Sequence, residues 1–308
     1  MPSENDLILR SAGRRVSKDA RWSDKRPWRD NGSRLSPLKL AVFVALFVPG
    51  AWTVLSYPLD ALGARPLNEA IHQFGLWGFR FLFLSLTITP ARRLLQLPRL
   101  ALVRRMIGVA AFAYIAIHLS LYAADQSFDL GKVASEIVLR IYLTIGFVAL
   151  IGLAALAATS TDAMVRRLGG RNWTRLHRTA YVIGVLAMIH YFMQSKLEIY
   201  EPTVMAGLLA WLMFYRLIAG RYGARLRVPV WAIFLLALCA GIATAAGEAA
   251  YFFLAMGVDP SRILAVDFSL VVGIRPGWIV LAVGLAATGL AAWRGMAKRP
   301  APVRLRTA

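Results

Sequence analysis

The chain has 308 residues, 58% of them hydrophobic, and a mean hydropathy of +0.57. This composition excludes an ordinary soluble enzyme and indicates an integral membrane protein. The formal net charge of +20 could suggest nucleic-acid binding. A basic soluble protein would not contain repeated apolar runs of membrane length, so we expect membrane lipid and no nucleic acid as a partner.

A polar segment precedes the hydrophobic part of the chain. Residues 1–36 are basic and lack apolar periodicity, so we predict a disordered cytoplasmic tail and no secretory signal. Eight predicted membrane spans follow, at residues 38–57, 72–90, 104–123, 134–157, 175–193, 203–220, 229–250 and 276–293. The apolar segment 251–275 is interrupted by polar residues, and we interpret it as a re-entrant or interfacial piece on the outer side.

The distribution of positive charge predicts the orientation of these spans. The two tails and alternate loops carry 29 of the 36 Lys and Arg residues, and the remaining loops carry five. Because Lys and Arg collect on the cytoplasmic side of a membrane, we expect both termini in the cytoplasm. Arg80 and Arg140 fall inside predicted spans.

Two histidines occupy matched depths in the third and fifth predicted spans. His118 and His190 each lie about fourteen residues into a span that runs from inside to outside. Facing imidazoles in a helix bundle can hold haem iron from both sides. With Cys239 as its only cysteine, the chain cannot attach haem through C-x-x-C-H. We therefore predict a non-covalent b-type haem, with interhelical hydrogen bonding as the alternative role for either histidine.

His177 lies near the cytoplasmic end of the fifth predicted span, about 20 Å from His190 along the helix axis. This offset suits a second redox site, and the neighbouring arginines suit an ordinary interfacial residue. On a regular helix the two imidazoles would point about 140° apart. They can share one face only if the helix is distorted, for example at Gly184, or if the bundle turns around the helix.

Four further residues are candidates for contact with a cofactor. His72 opens the second span and could serve as a ligand, a propionate partner or part of a quinone site. Arg80 and Arg140 need anionic partners such as haem propionates, or a quinone carbonyl, unless they snorkel to the interface. Trp173 is a candidate for cofactor contact and, equally, for an aromatic interface anchor.

Missing motifs narrow the possible electron donors. The chain contains neither a G-x-G-x-x-G fingerprint nor a P-loop, so it lacks a nicotinamide or ATP domain of its own. Electrons would enter from a quinone or a separate flavin reductase. Glu248 is the only carboxylate well inside a span, so a proton pump or transporter is poorly supported.

Several motifs in order over about residues 60–220 resemble those of one family. They include His72 with Gly75, Ile88-Thr89-Pro90 with Arg92, Arg104-Arg105 before Gly108 and His118, Arg140 with Tyr142-Leu143-Thr144, Thr159-Ser160-Thr161-Asp162, Trp173, Leu176-His177, and Ile189-His190-Tyr191. They resemble the MsrQ/YedZ family, the haem-binding membrane subunit of the bacterial periplasmic methionine-sulfoxide reductase system. That family belongs with the ferric-reductase-like transmembrane proteins.

The resemblance implies an electron-transfer subunit of the bacterial inner membrane rather than a catalytic one. Its cofactors would be one haem b, or two, together with FMN. Electrons would pass from the quinone pool or a soluble flavin reductase to a periplasmic molybdopterin-containing methionine-sulfoxide reductase. By motif, His118 and His190 would bind the outer haem and His177 would serve the inner side. Related proteins carry a second histidine where this chain has Arg104-Arg105, so the inner site lacks an obvious second ligand.

We therefore expect an all-α integral membrane protein with a six-helix haem-binding core and two extra C-terminal transmembrane helices. The predicted division is a tail at 1–36, a ferric-reductase-like haem-binding domain at 37–222, and a two-helix membrane segment with a cytoplasmic tail at 223–308. The alternative function is a stand-alone transmembrane ferric or metal reductase, or a quinol oxidoreductase. A haem-free structural or transport protein is a third possibility.

Overall fold

The computed structural model describes residues 35–195, 198–223, 228–269 and 273–296, which form α-helices and one 3-10 turn, Pro98–Leu100. The helices of the first half are α1 Pro37–Ser56, α2 Pro66–Leu95, α3 Ala101–Asp125, α4 Leu130–Leu139, α5 Ile141–Ala158 and α6 Asp162–Leu168. Those of the second half are α7 Gly170–Arg178, α8 Ala180–Gln194, α9 Tyr200–Tyr222, α10 Val230–Met256, α11 Pro260–Ser269 and α12 Pro276–Met296. The predicted N-terminal tail, apart from residues 35 and 36, lies outside the described residues.

Seven of the described helices are long and apolar enough to cross a membrane. They are α1, α2, α3 with the turn before it, α5, α9, α10 and α12. Large apolar side chains such as Trp52 and Leu254 are mostly exposed on the surface of the bundle, at 72% and 81%. Lipid would cover such side chains in a membrane. The prediction of an all-α, multi-pass integral membrane protein is confirmed.

Two of the eight spans that we predicted as single helices are each divided into two helices, so these two predictions are wrong. The span at 134–157 is two helices, because Arg140 adopts an extended backbone (φ −107°, ψ 105°) between α4 and α5. The span at 175–193 is also divided, at Thr179 between α7 and α8. The Thr179 hydroxyl donates to the Leu176 carbonyl at 2.7 Å, a local bond that competes with regular helix. With fifteen residues, α8 is shorter than a bilayer-spanning helix.

Helices α2 and α3 form a closely packed antiparallel pair. Small residues allow the approach: a Cβ at Gly78 would lie 2.5 Å from Ile115, and one at Gly108 would lie 3.4 Å from the Ser85 hydroxyl. As the residue number rises on one helix, it falls on the other. The C-terminal part of α3, which carries His118, therefore lies beside the first turns of α2.

Helices α5 and α8 form a second antiparallel pair with the same kind of contact. A Cβ at Gly152 would lie 2.8 Å from the side chain of Ile183. The pairing extends beyond Thr179, because the Thr159 hydroxyl lies 3.2 Å from Nε2 of His177 on α7. His190, near the end of α8, therefore lies beside the start of α5.

The C-terminal helices α10 and α12 also pack through small residues. A Cβ at Gly284 would lie 2.5 Å from the Cβ of Ala237, and one at Gly277 would lie 3.0 Å from the Gly241 carbonyl oxygen. Close backbone approach of this kind replaces the hydrophobic effect as the source of helix association in lipid. The short helix α11 packs against α10.

We expect Gly284→Val to separate α10 from α12 and to lower the stability of the protein. Overpacking of this kind costs about 1–3 kcal/mol, which thermal denaturation in detergent should detect as a lower Tm. The matched control is Gly289→Val, on the same helix but with nothing within 4 Å of its Cβ position. Equal Tm values for the two variants would contradict the packing described here.

Candidate functional site

A cavity of about 840 Å³ lies between α2, α3, α5 and α8, and the start of α9 closes one side. Its wall is largely apolar, with Phe79, Leu82, Ile115 and Leu150 among the lining side chains. Three of the four histidines, His72, His118 and His190, also lie in this wall. The two histidines that the sequence paired by depth therefore share one cavity.

His118 is held by the helix that faces it. Its Nδ1 lies 2.7 Å from the carbonyl oxygen of Ile71 on α2. The ring also packs against Gly75, where a Cβ would lie 2.9 Å from Nδ1 and 3.1 Å from Cε1. Any other residue at position 75 would push the imidazole away from this place.

His190 is held in the same way by α5. Its Nδ1 lies 2.8 Å from the carbonyl oxygen of Tyr142. Its ring packs against Gly146, where a Cβ would lie 2.7 Å from Nδ1 and 2.8 Å from Cε1. In both pairs the accepting carbonyl precedes the glycine by four residues, so the two halves of the site repeat one local arrangement.

These contacts determine the chemistry available to the two imidazoles. A carbonyl oxygen can only accept a hydrogen bond, so Nδ1 of each ring must carry the proton. Nε2 of a neutral imidazole is then a lone-pair donor suited to a metal ion. His118 is close enough to His190 and to His72 to interact with each electrostatically. The cavity thus contains two oriented imidazoles among largely apolar side chains.

His72 and Arg140 lie at the same end of the bundle as the two oriented histidines. His72 is exposed and forms part of the cavity wall. Arg140 is exposed between α4 and α5 and does not line the cavity. Its guanidinium donates to the Tyr142 hydroxyl at 3.1 Å and to Glu136 at 3.3 Å. Cofactor binding by His72 and Arg140 stays a prediction.

Arg80 has a protein partner that the sequence did not indicate. Its Nε donates to Glu201 Oε1 at 3.0 Å, and its guanidinium lies 4.8 Å from the Trp77 ring centroid. Glu201 is in the first turn of α9 and lines the cavity, which Arg80 itself does not. The arginine therefore supports the cavity wall through Glu201, and its binding to a cofactor stays a prediction.

Replacing Arg80 by methionine should destabilise the protein by leaving Glu201 without its cation. A hydrogen-bonded charged group is worth about 1.5–3 kcal/mol, and partial exposure, 30% and 35% for the two side chains, places the loss toward the lower end. The double variant R80M/E201Q should recover much of the lost Tm, because it removes the unpaired charge. A double variant that is less stable than R80M would contradict this pairing.

His177 and Trp173 come together at the opposite, arginine-rich end of the bundle. Their rings stack with centroids 3.9 Å apart, and the Trp173 indole donates to the Thr159 carbonyl at 2.8 Å. Arg104 and Arg105 lie near enough to act electrostatically on His177. His177 is thus the one histidine outside the cavity, and a ligand role for it stays a prediction.

The arginine-rich end also contains an ion pair between helices. The Arg105 guanidinium on α3 hydrogen-bonds the Asp162 carboxylate at the start of α6 and lowers the pKa of that carboxyl group. Both side chains are largely exposed. The pair therefore joins the α5–α7 connection to α3 without adding much stability.

Comparison with known proteins identifies the family. The family model described as "Ferric reductase like transmembrane component" matches residues 74–188. The "Protein-methionine-sulfoxide reductase heme-binding subunit MsrQ" of Rhodospirillum rubrum is 42% identical over 181 residues, which cover 58% of this chain and 87% of the relative. The proteins of the same name from Caulobacter vibrioides and Xanthomonas campestris are 38% and 42% identical, covering 61% and 62% of this chain and 90% and 92% of those relatives.

No solved structure matches the chain significantly. Each alignment covers nearly the whole length of the relative, whereas roughly two fifths of this chain lies outside it. Since the identity holds over nearly the whole of each relative, the chain belongs to the MsrQ family of ferric-reductase-like transmembrane proteins.

Proposed function

We propose that this protein is a membrane electron-transfer subunit that holds one haem b between His118 and His190. The observation that carries the proposal is the pair of oriented imidazoles in one apolar cavity of about 840 Å³. Each imidazole has its Nδ1 on a backbone carbonyl and its Nε2 left as a ligand. The relatives in this family are named as heme-binding subunits.

The number of protein ligands favours a porphyrin over a bare metal ion. Within the described residues, no group of three or more His, Cys, Asp or Glu side chains could hold a metal ion. Two imidazoles fill only two coordination positions, and a porphyrin supplies the other four. Bis-histidine ligation of this kind is used by b-type electron carriers.

The protein's own groups would set the properties of the site. When bound, haem b supplies a one-electron couple between ferric and ferrous iron. The Ile71 and Tyr142 carbonyls fix the orientation of the two rings and increase the basicity of Nε2. The apolar side chains that form most of the cavity wall would lower the polarity around the haem, and burial is one of the means by which a protein adjusts haem potential.

The direction of electron flow follows from the predicted orientation. We propose a bacterial inner-membrane protein with cytoplasmic termini, in which the cavity end faces the periplasm. Electrons would leave there to a periplasmic molybdopterin-containing methionine-sulfoxide reductase. The donor would be the quinone pool or a soluble flavin reductase, with FMN as a second cofactor. The remaining segment, 223–308, is proposed as an additional membrane segment beside the haem-binding core.

The function can be tested by following the reoxidation of the dithionite-reduced, haem-loaded protein under anaerobic conditions. We expect fast reoxidation only when a periplasmic methionine-sulfoxide reductase and methionine sulfoxide are both present. Omission of either component is the control. Equally fast reoxidation by a ferric chelate alone would favour a stand-alone metal reductase instead.

A further inference from the structure

Two buried carboxylates share one guanidinium in the C-terminal part of the chain. Arg275, directly before α12, donates through Nε to Asp267 on α11 at 3.1 Å and through Nη2 to Glu248 on α10. The Glu248 and Asp267 side chains are only 2% and 4% exposed. If both carboxyl groups were ionised, the cluster would carry a net charge of −1 within a membrane-spanning bundle.

The second oxygen of each carboxyl group is unpaired. Glu248 Oε2 and Asp267 Oδ2 are both buried and have no hydrogen-bond partner. A buried anionic oxygen without a partner is strongly disfavoured. One added proton would neutralise the cluster and supply a donor for one of these oxygens. A metal ion fits less well, because the Arg275 guanidinium would repel it and only two carboxylates are available.

Among the residues that the structure describes, the surrounding helices bring no other charge to Glu248. The charges that act on Glu248 come from Arg275 and Asp267. None of the remaining charged or titratable groups in the described parts of α8 to α12 and the segments between them is among the charges that act on Glu248: Tyr181, His190, Tyr191, Glu198, Tyr200, Glu201, Tyr215, Arg216, Arg221, Tyr222, Cys239, Tyr251, Asp259, Arg262 and Arg294. Glu201, for instance, pairs with Arg80, while Arg262 is exposed.

We propose that Glu248, Asp267 and Arg275 form a proton-binding site in which one of the two carboxyl groups is protonated near neutral pH. The site lies close to the cavity. The Tyr200 hydroxyl, which belongs to the cavity wall, donates at 2.6 Å to the carbonyl of Ile274, the residue before Arg275. The proton site does not depend on bound haem.

Infrared spectroscopy of the full chain in detergent tests the proposal. The wild-type protein near neutral pH should show the carbonyl stretch of a protonated carboxylic acid, shifted by exchange into D₂O. Glu248→Gln and Asp267→Asn should each remove this band, because each leaves one carboxylate paired with one guanidinium. Arg275→Gln should roughly double its intensity, because two carboxyl groups then lack a cation.

Glu201→Gln is the matched control, since Glu201 already pairs one to one with Arg80. Its spectrum should keep the wild-type band. Absence of the band from the wild-type protein would overturn the proposal without any variant. A band that survives in both Glu248→Gln and Asp267→Asn, or that disappears in Glu201→Gln, would also overturn it.

Discussion

His118→Ala and His190→Ala should each abolish the low-spin haem b spectrum of the purified protein. Each variant removes one of the two imidazoles that would hold the haem iron, and the remaining imidazole alone would not hold it from both sides. Loss of a hydrogen-bond partner of a metal ligand alone weakens binding about 10–100-fold, so we expect loss of the ligand itself to exceed about 100-fold. Haem per chain and the reduced-minus-oxidised visible spectrum measure the effect.

His177→Ala is the matched control, because His177 lies outside the cavity and contacts Thr159 and Trp173. It should keep the spectrum and the haem content of the wild type. Unchanged spectra in both His118→Ala and His190→Ala would contradict the ligand assignment. If His177→Ala instead lost about half of the haem, the chain would hold a second haem at its arginine-rich end.

The pairing of His118 with His190 could be predicted from the sequence because depth in a membrane follows from residue count. Each helical residue advances about 1.5 Å, so equal counts from a span's start give equal depth in helices that run in the same direction. The prediction did not need the helices' rotation or their neighbours. Charge asymmetry between loops predicts the orientation by similarly local reasoning, and that orientation stays a prediction.

The two interruptions at Arg140 and Thr179 could not be predicted from hydropathy. An average over many residues does not detect one extended residue or one local side-chain bond. The division at Thr179 has a consequence for His177 and His190, which a regular helix would have turned about 140° apart. His190 contacts Tyr142 at the start of α5, and His177 contacts Thr159, directly after the end of α5. The helix is therefore interrupted at Thr179, and not at the suggested Gly184.

Side-chain contacts between residues distant in sequence could not be predicted either. Glu201 lies 121 positions from Arg80, and only the packing of α9 on α2 brings them together. An acidic residue two positions before the sixth predicted span was the available signal. Gly75 was noted as part of a motif without a role, since a sequence does not indicate which ring a glycine will face.

Gly75→Ala and Gly146→Ala should weaken haem binding without destabilising the apoprotein helices. The added methyl group would meet the His118 or His190 ring at the distances given above, and it would tilt the imidazole away from its carbonyl partner. Overpacking by a methyl group costs about 1–3 kcal/mol, which corresponds to about a 5- to 150-fold loss of affinity. Gly146→Ala should have the larger effect, because its contacts with the ring are shorter. Haem titration of the apoprotein measures the affinity.

Gly220→Ala provides the control, as a helical glycine on α9 with nothing within 4 Å of its Cβ position. In all three variants alanine favours helix over glycine by up to about 1 kcal/mol, so helix content should not fall. Haem affinity should decrease only where the methyl group meets an imidazole. The contradicting result is a haem affinity of Gly146→Ala within about twofold of both the wild type and Gly220→Ala. The His190 ring would then not need this glycine, and the repeated carbonyl–glycine arrangement would have no part in orienting the two histidines.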